Sequence, residues 1–249
     1  LALTEVGARF LERSREILAQ LDQAQEEACG AHLTPRGRLR VHSTTGLGIQ
    51  LLAGLAGRYA ERYPEVSLDL TLSEAGLDVI ITLSRELPDS ELIAQRLGEV
   101  GNVVCAAPGY LEQYGVPQQP RDLQQHRCLR LADPVFADEW RFIADGAEDV
   151  IRPGEAFKVN VAEAMASAAE AGMGICLLPD YVAAPALQRG ALLRLLPRYR
   201  LQEKQIHALY PSRRFLDAKI KTWVDFLALE LPRAFTNYHR ILQDPAHWA

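Results

Sequence analysis

From Leu39 onward the chain alternates short strand patterns with amphipathic helix patterns, which restricts it to an α/β fold. Leu39 and Val41 mark a strand. Ser43, Thr44, Thr45 and Gly46 lead from it into a helix with the apolar face Leu51, Leu52, Leu55 and Tyr59, stopped by Pro64. Val66, Leu68, Leu70 and Leu72 alternate with Ser67, Asp69 and Thr71, as in a half-buried strand. Val79, Ile80 and Ile81 run together, which suits a strand buried on both faces of a parallel sheet. Further strands are expected at 92–97, 100–107, 140–143, 157–161, 175–178, 192–195 and 206–210. Helices are expected at 110–114, 162–171 and 181–189, with a loop and a brief helical turn at 117–126. A final amphipathic helix carries Leu216, Ile220, Val224, Leu227 and Leu231; Pro232 is expected to end it and leave a polar tail.

One connection does not fit this scheme. Parallel neighbours need a crossover of about a dozen residues or more, yet only residues 73–76 separate the Leu72 strand from the Asp78 strand. Either these strands are antiparallel, or several residues are absent at about Glu74 and Ala75.

Ahead of the alternating region, residues 4–29 form a helix, with Thr4 as N-cap and Gly30 as C-cap. Val6, Phe10, Ile17, Leu21, Ala24 and Ala28 make one narrow apolar stripe on an otherwise polar surface. Such a helix wants a partner helix, either in its own domain or in a second subunit. Residues 32–38, with Pro35 and Gly37, read as a linker.

With 249 residues, 48% hydrophobic and 24% charged, the chain is neither disordered, nor collagenous, nor a disulfide scaffold. A single core stops growing at about 250 residues, so two lobes are as natural as one. The net charge of -5 argues against this stretch coating phosphates; a DNA-reading element would lie elsewhere. Cys29, Cys105, Cys128 and Cys176 are widely spaced and read as reduced and cytosolic. No apolar run suits a membrane span, and no signal peptide opens the chain. The sequence starts at Leu1, not Met, so an upstream segment is expected.

Few motifs point to catalysis. Gly46 and Gly48 match a dinucleotide loop only in part, because Leu51 holds the third glycine position. His32, His42, His126, His207, His239 and His247 lie too far apart to form a metal motif, and no nucleophile elbow or phosphate loop is present. What stands out is a repeated junction. Ser43, Thr44 and Thr45 follow a strand and precede a helix, where hydroxyls and free N–H groups can hold an anion, and Asn160 occupies a similar junction farther on. These residues are either N-caps alone or the two sides of a small-molecule cleft.

Several stretches resemble LysR-type transcriptional regulators lacking the N-terminal winged helix-turn-helix. Leu3-Thr4-Glu5-Val6-Gly7-Ala8-Arg9-Phe10-Leu11 resembles the entry to the family's linker helix, and Gly37-Arg38-Leu39-Arg40-Val41 its first regulatory strand. Leu77-Asp78-Val79-Ile80-Ile81, Leu87-Pro88-Asp89-Ser90 with Leu92-Ile93-Ala94-Gln95-Arg96-Leu97, and Ala171-Gly172-Met173-Gly174-Ile175-Cys176-Leu177-Leu178-Pro179 are similar to further family stretches. The family carries a helix where only residues 73–76 stand here, so an absent segment is expected at that point. The resemblance implies two Rossmann-like lobes like those of type 2 periplasmic binding proteins, preceded by a long linker helix. Residues 1–30 would be the dimerisation helix, 38–105 with 208–232 lobe I, 106–207 lobe II, and 233–249 a tail. Ser43, Thr44, Thr45 and Asn160 would contact an effector, with Thr82 a wall of the cleft. Val6, Phe10, Ile17 and Leu21 would pair with a second subunit.

The leading expectation is the effector-sensing and oligomerisation part of a cytoplasmic transcription factor, binding a small anionic metabolite and working as a homodimer or tetramer. Promoter DNA would be read by an N-terminal domain absent from this chain. No catalysis, cofactor, metal or membrane contact is expected. The alternatives are a transporter's periplasmic-type solute-binding protein, which would be monomeric, and a two-lobed enzyme, for which no catalytic constellation is found.

Overall fold

The computed structural model describes residues 5–28, 34–72, 78–84, 92–132, 139–154, 156–211 and 217–249. Helix α1 covers Glu5–Ala28. Strand β1 (Gly37–Ser43) leads through α2 (Thr45–Leu47) and a π-helical turn at Gly48–Leu52 into α3 (Ala53–Arg62). Strands β2 (Val66–Thr71), β3 (Val79–Ser84), β4 (Leu92–Val100) and β5 (Asn102–Ala106) follow, then α4 (Pro108–Tyr114) and a 3-10 turn at Pro120–Gln125. Next come β6 (Cys128–Leu131), β7 (Trp140–Ala144), β8 (Ala147–Ile151), β9 (Phe157–Val159), α5 (Ala162–Glu170), β10 (Ile175–Pro179) and α6 (Asp180–Gln188). Strands β11 (Leu193–Leu195), β12 (Arg200–Leu201) and β13 (Lys204–Pro211) precede α7 (Ala218–Gln243) and a 3-10 turn at Pro245–His247.

Two five-stranded sheets define two lobes. The first has the order β2-β1-β3-β13-β4 and the second β11-β5-β10-β6-β9, with a smaller β12-β7-β8 sheet beside it. Because strand side chains alternate, Leu39, Val41 and Ser43 point inward from β1 while Arg40 and His42 take the other face. The inward face is covered by α3 and α7, which present Leu55 and Tyr59, and Ile220, Trp223, Val224 and Leu227. Tyr59 and Trp223 meet edge to face at 4.9 Å, and the Tyr59 hydroxyl donates to the Lys219 carbonyl at 3.2 Å. Truncating an aromatic buried in this way costs about 3–5 kcal/mol.

Several expectations change. Strands β2 and β3 are not antiparallel: both run parallel to β1, one on each side, with Leu70 and Val79 opposite the same residue, Val41. Their facing ends therefore lie about 10 Å apart, two strand spacings. The expected gap at Glu74 and Ala75 lies outside the described residues, as do the caps Thr4 and Gly30 and the cysteine Cys29. Strand β3 is buried on one face only, with Val79, Ile81 and Leu83 inside and Ile80, Thr82 and Ser84 half-buried. Three strands carried no expectation, β6, β8 and β12. The sheets also put the crossings between lobes at Gly101 and Gln202, because β5 joins the second sheet and β13 the first.

Pro232 does not end the last helix. It lies inside α7, which continues to Gln243, although an internal proline costs about 3 kcal/mol. Burial of Ile241 and Leu242 offsets this cost, and Thr236 Oγ1 donates to the Pro232 carbonyl at 2.9 Å. The stretch expected as a tail is thus largely helical.

Cys105, Cys128 and Cys176 are free and buried. Burial pushes the Cys128 thiol up to about 12 and the Cys176 thiol well above its ordinary value, so neither is a ready nucleophile. Gly172 and Gly174 explain the glycine motif. Gly172 takes φ +80 just past α5. Gly174 takes φ +158, and a Cβ there would stand 2.2 Å from the Arg127 carbonyl oxygen, which accepts from Ile175 N at 2.8 Å where β10 begins beside β6. Gly174→Ala should therefore lose about 2 kcal/mol or more of stability, read as a lower urea midpoint at unchanged slope.

Candidate functional site

The loop after β1 is where the lobes face each other. Ser43 ends β1 fully buried and pairs in register with Ile81 of β3, which brings Thr82 to the neighbouring strand, opposite His207 of β13. Thr44 holds the N-cap position in an extended conformation but makes no side-chain capping bond. The Ser43 Oγ and Thr44 Oγ1 atoms are buried without a hydrogen-bond partner. That weighs against capping as the role of these two hydroxyls, since a buried hydroxyl left unpaired costs about 1–3 kcal/mol.

Across the gap stand α5 and α6. A Cβ added at Gly46 would meet the Tyr181 hydroxyl at 3.1 Å and Glu163 Oε1 at 3.3 Å. Glycine is therefore what lets the loop approach the second lobe so closely. Both carboxylate oxygens of Glu163, in the first turn of α5, are buried with no hydrogen-bond partner. His42 Nδ1, one residue before Ser43, is in the same state. Of the residues expected at the site, Ser43, Thr44 and Thr45 share this loop, Thr82 lies on the strand next to it, and Asn160 is exposed two residues before α5. Sequence reasoning did not single out Glu163 or Tyr181. An acidic residue in a first helical turn ordinarily complements the helix dipole, and only the fold places it against the hydroxyl loop.

At the hinge the two crossings are tied together. Asn102 Nδ2 donates to the Gln202 carbonyl at 2.9 Å. Beside them is a cavity of about 40 Å³ lined by Asn102, Arg130, Trp140, Leu201, Gln202 and Lys204. The start of α6 grips the first crossing: Gly101 N donates to Asp180 Oδ2 at 3.0 Å, and Asp180 N donates to the Gly101 carbonyl at 3.1 Å. An open groove of about 750 Å³ passes this contact between β4 and α7. Among the described residues no group of three or more His, Cys, Asp or Glu side chains is arranged to hold a metal ion. No described helix is long and apolar enough to cross a membrane. On α1, Phe10 is 74% and Ile17 62% exposed, while the side chains of Val6 and Leu21 lie outside the described set.

Two sheets hinged by two adjacent strands, with unpaired polar groups facing each other across the gap, define a ligand-responsive two-lobed domain. The family model described as the LysR substrate binding domain matches residues 32–232. An HTH-type transcriptional regulator from Xanthomonas campestris pv. campestris is 33% identical over 259 residues, covering 100% of this chain and 75% of that protein. The regulator CrgA from Neisseria meningitidis serogroup C is 33% identical over 239 residues, covering 93% and 79%. The solved CrgA regulatory domain superposes with a TM-score of 0.72 at 30% identity, covering 79% of this chain and 100% of that one. The full-length virulence activator AphB from Vibrio cholerae gives a TM-score of 0.72 at 26% identity, covering 92% and 81%. The chain belongs to the LysR-type transcriptional regulators and comprises their effector-binding regulatory domain with the helix that precedes it. Regulators of this family bind small-molecule effectors and promoter DNA and form oligomers. The matched relatives are transcriptional regulators, and the transporter alternative falls away.

Burial pushes the Asp180 carboxyl up to about 7, against the two backbone donors that pull it down, and Glu203 nearby adds to the rise. As pH rises from about 4, the unfolded chain releases this proton first, so the folded state loses stability until about pH 7. Asp180→Asn removes that slope. Melting temperature, compared between variant and wild type, should move in the variant's favour from about pH 4 to 7 and then level off.

Proposed function

We propose that the effector binds between the lobes, held by Ser43, Thr44 and Thr45 on one side and by Asn160 and Glu163 on the other, with Thr82 closing the wall. The observation that carries this reading is the set of buried, unpaired groups at one place: two hydroxyls from the first lobe and a carboxylate from the second, brought together at Gly46. A metabolite supplying their hydrogen bonds binds the closed arrangement better than an open one, and only such a difference shifts a conformational equilibrium. Glu163 adds a requirement. The effector presents a hydrogen-bond donor to it, and its anionic group lies toward the hinge, where Arg130 and Lys204 line the cavity.

The chain is a sensor and not an enzyme, and it works in the cytoplasm as a homodimer or tetramer. Residues 5–28 join subunits through the stripe that includes Phe10 and Ile17. Lobe closure then changes the spacing of the DNA-reading domains on their half-sites. The lobes act as units, the first from residue 38 to the crossing at Gly101 together with β13 and α7, the second from β5 to β12.

A thermal-shift screen of small hydroxy- and amino-carboxylates, followed by calorimetry of the hits, tests the site. Thr44→Val should weaken binding about fivefold to tenfold, one lost hydrogen bond. The same change should leave the ligand-free melting temperature equal or higher, because the hydroxyl has no partner there. Glu163→Gln should weaken binding at least as much. Unchanged affinity in both variants refutes the placement. Ile17→Glu should lower the sedimenting mass; an unchanged mass refutes the role given to α1.

A further inference from the structure

The family match stops at residue 232, but α7 does not. Its first half belongs to the first lobe, where Trp223, Leu227 and Leu231 pack under the sheet. Its second half crosses to the second lobe and ends at β11. That strand is an edge of the second sheet, paired on one side with β5. The free side is taken by the residues that follow α7. Trp248 forms a parallel bridge with Arg194, the middle residue of β11, and Ala249 N donates to the Arg194 carbonyl at 3.1 Å.

Side chains reinforce this backbone contact. Arg194 is only 8% exposed, and its Nη1 donates to the Leu242 carbonyl at 2.7 Å. Trp248 Nε1 donates to the same carbonyl at 3.0 Å. That oxygen is one of those the last turn of a helix leaves without an intrahelical donor, and a cation is favoured at that end. The guanidinium also stands 6.0 Å from the Trp248 ring centroid, within range of a cation–π contact. Asp244 shapes the turn by accepting from Ala246 N at 3.0 Å, which aims Trp248 back at β11.

The mechanical consequence follows from where the ties lie. The two chain crossings, at Gly101 and Gln202, are bound to each other through Asn102 and act as one axis. A hinge built on one axis leaves the angle between its bodies free. A third tie away from the axis removes that freedom. We propose that residues 233–249 are an interlobe latch, in which α7 carries a segment from the first lobe onto the edge strand β11 of the second and fixes the angle between them. Closure around an effector then requires the Arg194, Leu242 and Trp248 contact to shift or release, so the latch sets the resting state of the sensor. Pro232, at the passage between the two halves of α7, is where a helix bends most readily.

Hydrogen exchange on the 249-residue chain, without any ligand, tests this independently of the effector site. The variants are Arg194→Met, which keeps the apolar stem and removes the guanidinium, and a chain stopped after Asp244. In both, amides at Gly101–Asn102, Gln202–Glu203 and the loop 43–46 should exchange at least threefold faster, with β10 unchanged. Acceleration confined to 190–195 and 240–244 would mean that the contact is local and would overturn the latch. If Arg194→Met also speeds exchange in β10, it has disturbed the fold, and the stopped chain, which keeps Arg194, decides the question.

Discussion

Everything in this molecule hangs on the pairing of two strands that pass between lobes at neighbouring points. One passage leaves the first sheet through Gly101 and the other returns through Gln202, and a side-chain amide joins them. Because β13 then inserts between β3 and β4, the return passage is built into the middle of the first sheet and not added at its edge. The lobes are thereby held at a fixed spacing. The crossings by themselves leave the angle between the lobes to be set by contacts away from the axis, and that angle is what a ligand between them can bias.

The polar groups at the loop after β1 are costly in this setting. A buried hydroxyl or carboxylate without a partner forfeits free energy of the order of a hydrogen bond or more. A ligand that supplied the missing hydrogen bonds would recover that cost, which is the basis of the proposed effector site. Elsewhere, Tyr59 and Asp180 find partners inside the protein, whereas Asn102 Oδ1 and Trp223 Nε1 are buried and unpaired singly. What sets the hydroxyl loop and Glu163 apart is that their unpaired groups gather at one place.

Much of the fold was legible because burial imposes periodicity. Leu39 and Val41, the face Leu51, Leu52, Leu55 and Tyr59, and the run from Ile175 to Pro179 are where their patterns put them. Strand β8 escaped notice because only Ile151 of it is buried, leaving no alternation to read. Pro232 misled because proline is a local signal, and burial of Ile241 and Leu242 farther along the helix outweighed it. The short link between β2 and β3 left two readings open, and the parallel pairing of both strands with β1 removes the antiparallel one.

The sequence by itself determined the α/β class, the positions of most elements, the hydroxyl junction at 43–45 and the family resemblance, since all of these rest on local pattern and on contiguous motifs. Only the tertiary structure decided that Glu163 and Tyr181 face that junction, that β5 and β13 are the passages between lobes, and that Trp248 returns to Arg194. Each of these joins residues far apart in the chain, and such meetings are settled by how the sheets and helices pack, about which local periodicity carries no information.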